Sequence, residues 1–260
     1  MIKEEFHKIF KSKKSNIALI ILCIVVIVQS IDSIIYTYQG FYLDVHPAFI
    51  SILTNENNVK YGAIFDWIMP IFLIISYCDK YITEKKLGIL NVYLNKVGRR
   101  KFYFSKLFTA FLHPAILCGI PLLLNLCINT IFLHGGTKFF DLENYSIDII
   151  GSYLYNCIRH PYITYFGYII SFIIVMGLLN VVCQSICIIF NDVKISYIIA
   201  IAVWLIYFAD PVFSISDALQ PFAVEYTLTT GLISIGYFFP VVLLFSVISY
   251  ISFVVKKDEI

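Results

Sequence analysis

The ionisable residues that could carry chemistry fall in two places. One is the run DKYITEKKLGILNVYLNKVGRRKFYFSK, residues 79–106, which holds eight Lys and Arg side chains between strongly apolar stretches. The other is a set of carboxylates, Asp32, Asp66, Asp210 and Glu225, inside or beside such stretches. A carboxylate in an apolar medium is costly, so it persists where it meets a cation, a proton or a polar partner. Four of them could draw positive charge along a path. The less specialised alternatives are snorkelling to an interface and pairing with Lys60 or Arg159. A basic loop, in turn, could hold anionic lipid or an acidic partner surface.

Other chemistries find little footing. No G-x-x-x-x-G-K-[ST] occurs, and GGTK at 135–138 lacks its spacing, so ATP hydrolysis through a P-loop is not expected of this chain. His7, His46, His113, His134 and His160 show neither H-x-x-x-H nor H-E-x-x-H spacing, which argues against a metal site. Seven cysteines form no CxxC, and serines in the apolar runs lack a Gly-x-Ser-x-Gly turn. The expectation is a chain that is not an enzyme and binds no cofactor of its own.

The elements that must position these groups are apolar helices. Of 260 residues 60% are hydrophobic and 14% charged, about half the charge of an ordinary soluble domain. Runs able to cross ~30 Å of hydrocarbon at ~1.5 Å per residue are expected at 17–35, 63–78, 107–133, 162–190, 195–213 and 231–255. The fold class expected is therefore an all-α membrane protein with six transmembrane helices in one domain, 1–260. The first run has no small-residue cleavage site and should remain as a span. Ahead of it, Ile2, Phe6, Ile9 and Phe10 share a helical face with lysines elsewhere, the pattern of an interfacial helix. In the third run, Pro114 and Pro121 predict kinks, and Asn125 and Asn129, one turn apart, predict interhelical hydrogen bonding.

Six spans put both termini on one side, and the basic residues choose which. Sixteen of the 19 Lys and Arg residues fall on the side of the termini and the 79–106 loop; only Lys60, Lys138 and Arg159 fall on the other. That bias predicts cytoplasmic termini and a cytoplasmic loop. Acidic residues run the opposite way, so the outer side is net negative.

Within the loop, Leu87, Leu90, Leu94 and Val97 recur at intervals of three and four, with Lys85, Lys86, Asn95 and Lys96 off that stripe, predicting one amphipathic helix that leads into GRRK. Glu84, Gly88, Leu90, Leu94, Arg99 and Lys106 follow E-x-x-x-G-x-L-x-x-x-L, then Arg, then Lys seven residues on. This run resembles the cytoplasmic loop of type-2 ABC exporter permeases, and the chain as a whole resembles their layout. It departs at NKVGRR, where many members carry a proline-containing turn, which leaves Arg99 and Arg100 as alternative bearers of the motif arginine.

The resemblance implies a multi-pass subunit of a bacterial cell membrane. Glu84, Gly88, Leu90, Leu94, Arg99, Arg100 and Lys106 would form a coupling helix that docks on a separate ABC ATPase, two copies of which bind ATP and Mg. The permease would pair with a second copy or a related subunit. Residues 213–231, with Pro221 at their centre, would be re-entrant on the outer side. The outer negative charge suits a cationic or amphipathic peptide as substrate, with Asp32, Asp66, Asp210 and Glu225 along its path. Export of a polysaccharide, lipid or drug, and a non-transport scaffold or sensor partner, are the alternatives.

Overall fold

The structure is a computed structural model, and it describes residues 2–40, 44–54, 59–139, 153–210, 214–222 and 228–255. Among the described residues the protein is all-α, and five helical stretches are long and apolar enough to cross a membrane: Lys13–Tyr38, Lys60–Lys86, Arg99–Phe132, Pro161–Phe190 and Thr229–Val255. Helix α1 (Ile2–Lys11) stops at Ser12, whose extended backbone and side-chain hydroxyl cap the first turn of α2 (Lys13–Tyr38). The short α3 (Pro47–Ile50) follows, then α4 (Val59–Leu73), which passes through a π-helical turn at Ile74–Cys78 into α5 (Asp79–Lys86). Helix α6 (Ile89–Val97) lies across the loop, and α7 (Arg99–Leu112), α8 (Pro114–Leu117) and α9 (Gly119–Phe132) form one kinked span. The rest are α10 (Tyr153–Arg159), α11 (Pro161–Phe190), α12 (Val193–Phe208), α13 (Ile215–Ala218) and α14 (Leu228–Tyr250), the last extended by a π-helical turn at Ile251–Val255.

The fifth expected span, 195–213, is present among the described residues as a shorter apolar helix. The run 195–213 yields α12, only 16 residues long, about 24 Å at ~1.5 Å per residue and short of the ~30 Å hydrocarbon core. Its ends are set locally: Asp192 caps the start by accepting from the Ile195 amide, and the helix ends at Phe208, just before Asp210 and Pro211. The second and third runs also extend beyond their apolar cores, into the loop, as α5 and as the first turns of α7.

Burial is sorted as a bilayer sorts it. On α2, Gln29, Ser30 and Ser33 are buried while Ile17, Ile20, Ile24, Ile31 and Ile35 are exposed. On α14, Ser234 and Ser249 face inward while Leu232, Leu243 and Leu244 face outward. In water this arrangement would expose the groups that gain most from burial; against lipid tails, the isoleucines lose nothing and the polar groups find partners inside. Helix α11 runs through the middle and packs on α4, α7, α9, α12 and α14. It approaches α7 closely because Gly177 has no side chain: a Cβ there would sit 2.7 Å from the Phe111 carbonyl oxygen. Asn180 fastens the same pair by donating to the Ala110 carbonyl at 2.7 Å.

The two asparagines of α9 are interhelical, as their spacing predicts. Asn125 donates to Ser30 Oγ at 2.8 Å and to Gln29 on α2, and accepts from the Ile52 amide at 3.0 Å. Gln29 in turn donates to the Ile50 carbonyl at 2.8 Å, and Asn129 donates to Ser51. This network hangs the segment 47–54 on the α2–α9 pair.

Candidate functional site

Residues 79–106 form α5, α6 and the start of α7 rather than one amphipathic helix. Gly88 adopts φ +72° and divides α5 from α6, and Gly98, at φ +80°, divides α6 from α7. Left-handed backbone at Gly88 costs little only without a Cβ. The apolar stripe is split accordingly. Leu90 is buried, Leu94 and Val97 are half-buried, and Leu87 is 67% exposed.

Two of the charged motif residues, Glu84 and Lys106, turn inward. Lys106 is 2% exposed, and its Nζ donates to Glu5 Oε2 at 2.6 Å and to Glu84 Oε2 at 3.0 Å. Lys8 Nζ donates to the other two oxygens, Glu5 Oε1 and Glu84 Oε1, both at 2.8 Å. Two lysines and two glutamates thus alternate in a closed ring of four ion pairs that joins α1, α5 and α7. Lys8 also sits 4.3 Å over the ring of Tyr93 on α6, and Lys106 lies 5.5 Å over Phe102. Lys80 donates to the Lys8 carbonyl at 3.2 Å, and Lys14 pairs with the buried Asp79.

Charges this deep are tolerated only when paired and hydrogen-bonded. Burial pushes the Glu5 carboxyl up, but Lys106 and Lys8 more than offset it and hold it below the ordinary carboxylate range. Burial likewise works against the Lys8 ammonium, and its bonds to Glu5 and Glu84 raise it overall. The ring carries no net charge and acts as a brace: the amino-terminal helix, the loop and the third span are held as one piece.

What remains outward on this elbow is a mixed face. Leu87, Ile89 and Val92 are 67%, 40% and 63% exposed, with Lys86, Lys96 and Arg100 exposed around them. Arg99 and Arg100 line a polar cleft of about 650 Å³ with Asn91, Leu94, Asn95 and Val254. Of the seven motif residues, Glu84, Leu90 and Lys106 therefore serve the interior of the elbow, Gly88 shapes it, and Leu94, Arg99 and Arg100 lie on the cleft.

The carboxylates at the opposite end separate into distinct environments. Asp32 accepts from Lys60 Nζ at 2.8 Å and from the Tyr61 hydroxyl at 2.9 Å, so it has the lysine partner that the sequence offered as one alternative. Asp66 has no such cation: its Oδ1 is buried without a hydrogen-bond partner among the described residues. Asp210 is half-buried just beyond α12, and Glu225 lies outside the described residues. Of the segment 213–231, α13 stands against α14 and α12. His113 is fully buried and stacks on Tyr77 with ring centroids 5.6 Å apart.

Glu5 and Lys8 were not singled out by sequence as partners of the loop. The only local signal was their i, i+3 spacing, which places both on one side of α1.

No family model matches the chain, and no solved structure matches it. It is similar to the uncharacterized protein YybM of Bacillus subtilis (strain 168), 23% identical over 245 residues that cover 93% of this chain and 96% of that one.

Proposed function

We propose that this chain is the permease subunit of an ATP-driven exporter in a bacterial cell membrane. It works as a pair of permeases, with itself or a related chain, on two copies of a separate ABC ATPase that bind ATP and Mg. In this reading α12 makes a sixth crossing, so both termini and the 79–106 loop are cytoplasmic, and the substrate is a cationic or amphipathic peptide. The observation that carries this reading is the braced elbow. A loop that only satisfied the positive-inside rule would need neither an ion ring closed around the buried Glu5 and Lys106 nor Leu87, Ile89 and Val92 held outward on it. A rigid, mixed apolar and basic face fits a protein partner, because a push on α5 and α6 passes through the ring to α1 and α7 without being absorbed.

This division of labour refines the docking residues. Leu87, Ile89, Val92, Lys96 and Arg100 contact the ATPase, while Glu84 and Lys106 set the angle at which they are presented. The test is affinity purification of the tagged chain in mild detergent, with partners identified by mass spectrometry. The expected result is a P-loop ATPase recovered with the parent and lost from Leu87→Asp/Val92→Asp. Recovery of no ATPase with the parent overturns the proposal.

A further inference from the structure

The strongest unused feature is the cavity around Asp66. It measures about 280 Å³ and is lined by Asp66, Trp67, Phe172, Phe208, Asp217 and Gln220, among others. It lies at the end of the bundle away from the basic loop, where α4 begins, α12 ends and α13 folds over. Among the described residues no Lys, Arg or His lines it. The nearby cation, Lys60, is already bonded to Asp32. A buried carboxylate oxygen without a donor costs several kcal/mol in so apolar a setting, and it is the kind of group that marks a binding site within a span. Its backbone is also pinned: the Trp204 indole donates to the Asp66 carbonyl at 3.1 Å. Trp204 in turn stands 5.9 Å from Phe208, which meets Trp67 at the same distance, nearly edge-on.

We propose that this cavity binds one organic cation, an ammonium or guanidinium group on a short apolar stem. The carboxylate of Asp66 supplies the counter-charge, Gln220 and Asp217 offer further acceptors, and the Trp67 and Phe208 rings offer faces that attract a cation and pack its stem. The volume admits a group the size of a lysine or arginine side chain, not a folded peptide. A peptide would therefore be read one cationic side chain at a time. The inference concerns binding by this chain alone and holds or fails independently of the ATPase partnership.

Both tryptophans of the chain, Trp67 and Trp204, touch this site, so intrinsic emission reports on it directly. The experiment titrates phenethylammonium into the purified full chain in nanodiscs of neutral lipid. The expected result is a saturable change in emission, weakened at least tenfold in Asp66→Asn and unchanged in Asp44→Asn, which removes an exposed carboxylate outside the cavity. As a measurement that does not depend on a variant folding, phenethylammonium should protect Asp66 of the parent from modification by a hydrophobic carbodiimide. Equal binding of 2-phenylethanol, equal binding by Asp66→Asn, competition by sodium ions at matched concentration, or absence of protection each overturns the proposal.

Discussion

Lys106 Nζ and Glu5 Oε2 lie 2.6 Å apart, although 101 residues of chain separate them. The contact ties the first helix to the start of the third span, and Glu84 and Lys8 close the ring around it. Such a cluster is weak evidence for stability but strong for geometry. Each charge is satisfied in one arrangement of three helices, and any other leaves a charge unpaired.

Removing one member should therefore cost more than removing two. Lys106→Met leaves Glu5 buried beside a single remaining lysine, and we expect a loss of about 3 kcal/mol in stability, the usual cost of orphaning a buried charge. Glu5→Gln/Lys106→Met should recover more than half of it. Thermal unfolding in detergent of both single variants and the double variant checks this. Additive losses would show that the two side chains do not act as a pair.

The ring also sets a pH window. Glu5 is depressed below 4.5 in the folded protein, so its contribution is complete above pH 4.5 and is lost as pH falls through the folded value. Lys8 is raised above 10.5, so its contribution is complete below pH 10.5 and is lost as pH rises through its folded value. The unfolding temperature should be flat between these limits as far as Glu5 and Lys8 are concerned, with an acid-side fall that shrinks in Glu5→Gln. Tracking the midpoint from pH 3 to 7 in both proteins tests the sign.

How much of this was legible in the sequence depended on the range of the contacts. The existence of α2 follows from the apolar run 17–35, and the interhelical role of Asn125 and Asn129 from their one-turn spacing. The start and stop of α12 were written in Asp192 and Pro211, yet the apolar run continued to Phe213 and hid how short the helix is. Gly88 was visible as a motif residue, but its reason is a left-handed turn and not a close neighbour, since nothing lies within 4 Å of where its Cβ would be. The ring left the i, i+3 spacing of Glu5 and Lys8 as its local trace. Its other contacts, and the Trp204–Asp66 bond at the cavity, join residues 22 to 138 apart in the chain, and composition carries no information about pairings of that length.

Gly88 gives a sharp local test. Any L side chain at φ +72° is strained, by roughly 1 kcal/mol for alanine, and less for asparagine, which tolerates the left-handed region. Gly88→Ala should thus lower ATPase coupling more than Gly88→Asn does. If bulk at that position were what mattered, the larger asparagine would be the worse of the two. Substrate-stimulated ATP hydrolysis of the reconstituted complex ranks them.

Orientation can be checked in whole cells. With the seven native cysteines replaced, a cysteine at Asn57 or Asn144 should react with an impermeant thiol reagent, and one at Lys96 should not. The sixteen-to-three distribution of Lys and Arg sets this expectation. Labelling at Lys96 from outside would reverse the bundle and remove the elbow from any cytoplasmic ATPase.

The polar network around Asn125 should behave differently from the ion ring, because it is neutral and has several partners. Asn125 bonds to the Val26 carbonyl, Gln29, Ser30 and the Ile52 amide at once, so Asn125→Leu strips four groups of a partner while keeping a similar volume. Hydrogen bonds between membrane helices average only about 0.6 kcal/mol, and we expect a total loss of about 2 kcal/mol. The loss should be concentrated in the segment 47–54, whose Ile50 carbonyl and Ile52 amide hang on this network. Hydrogen exchange of the Ile52 amide separates a local role from a global one: its protection should fall in Asn125→Leu while that of the α11 core is unchanged. An equal loss of protection in α11 would mean that Asn125 holds the whole bundle, not one connection.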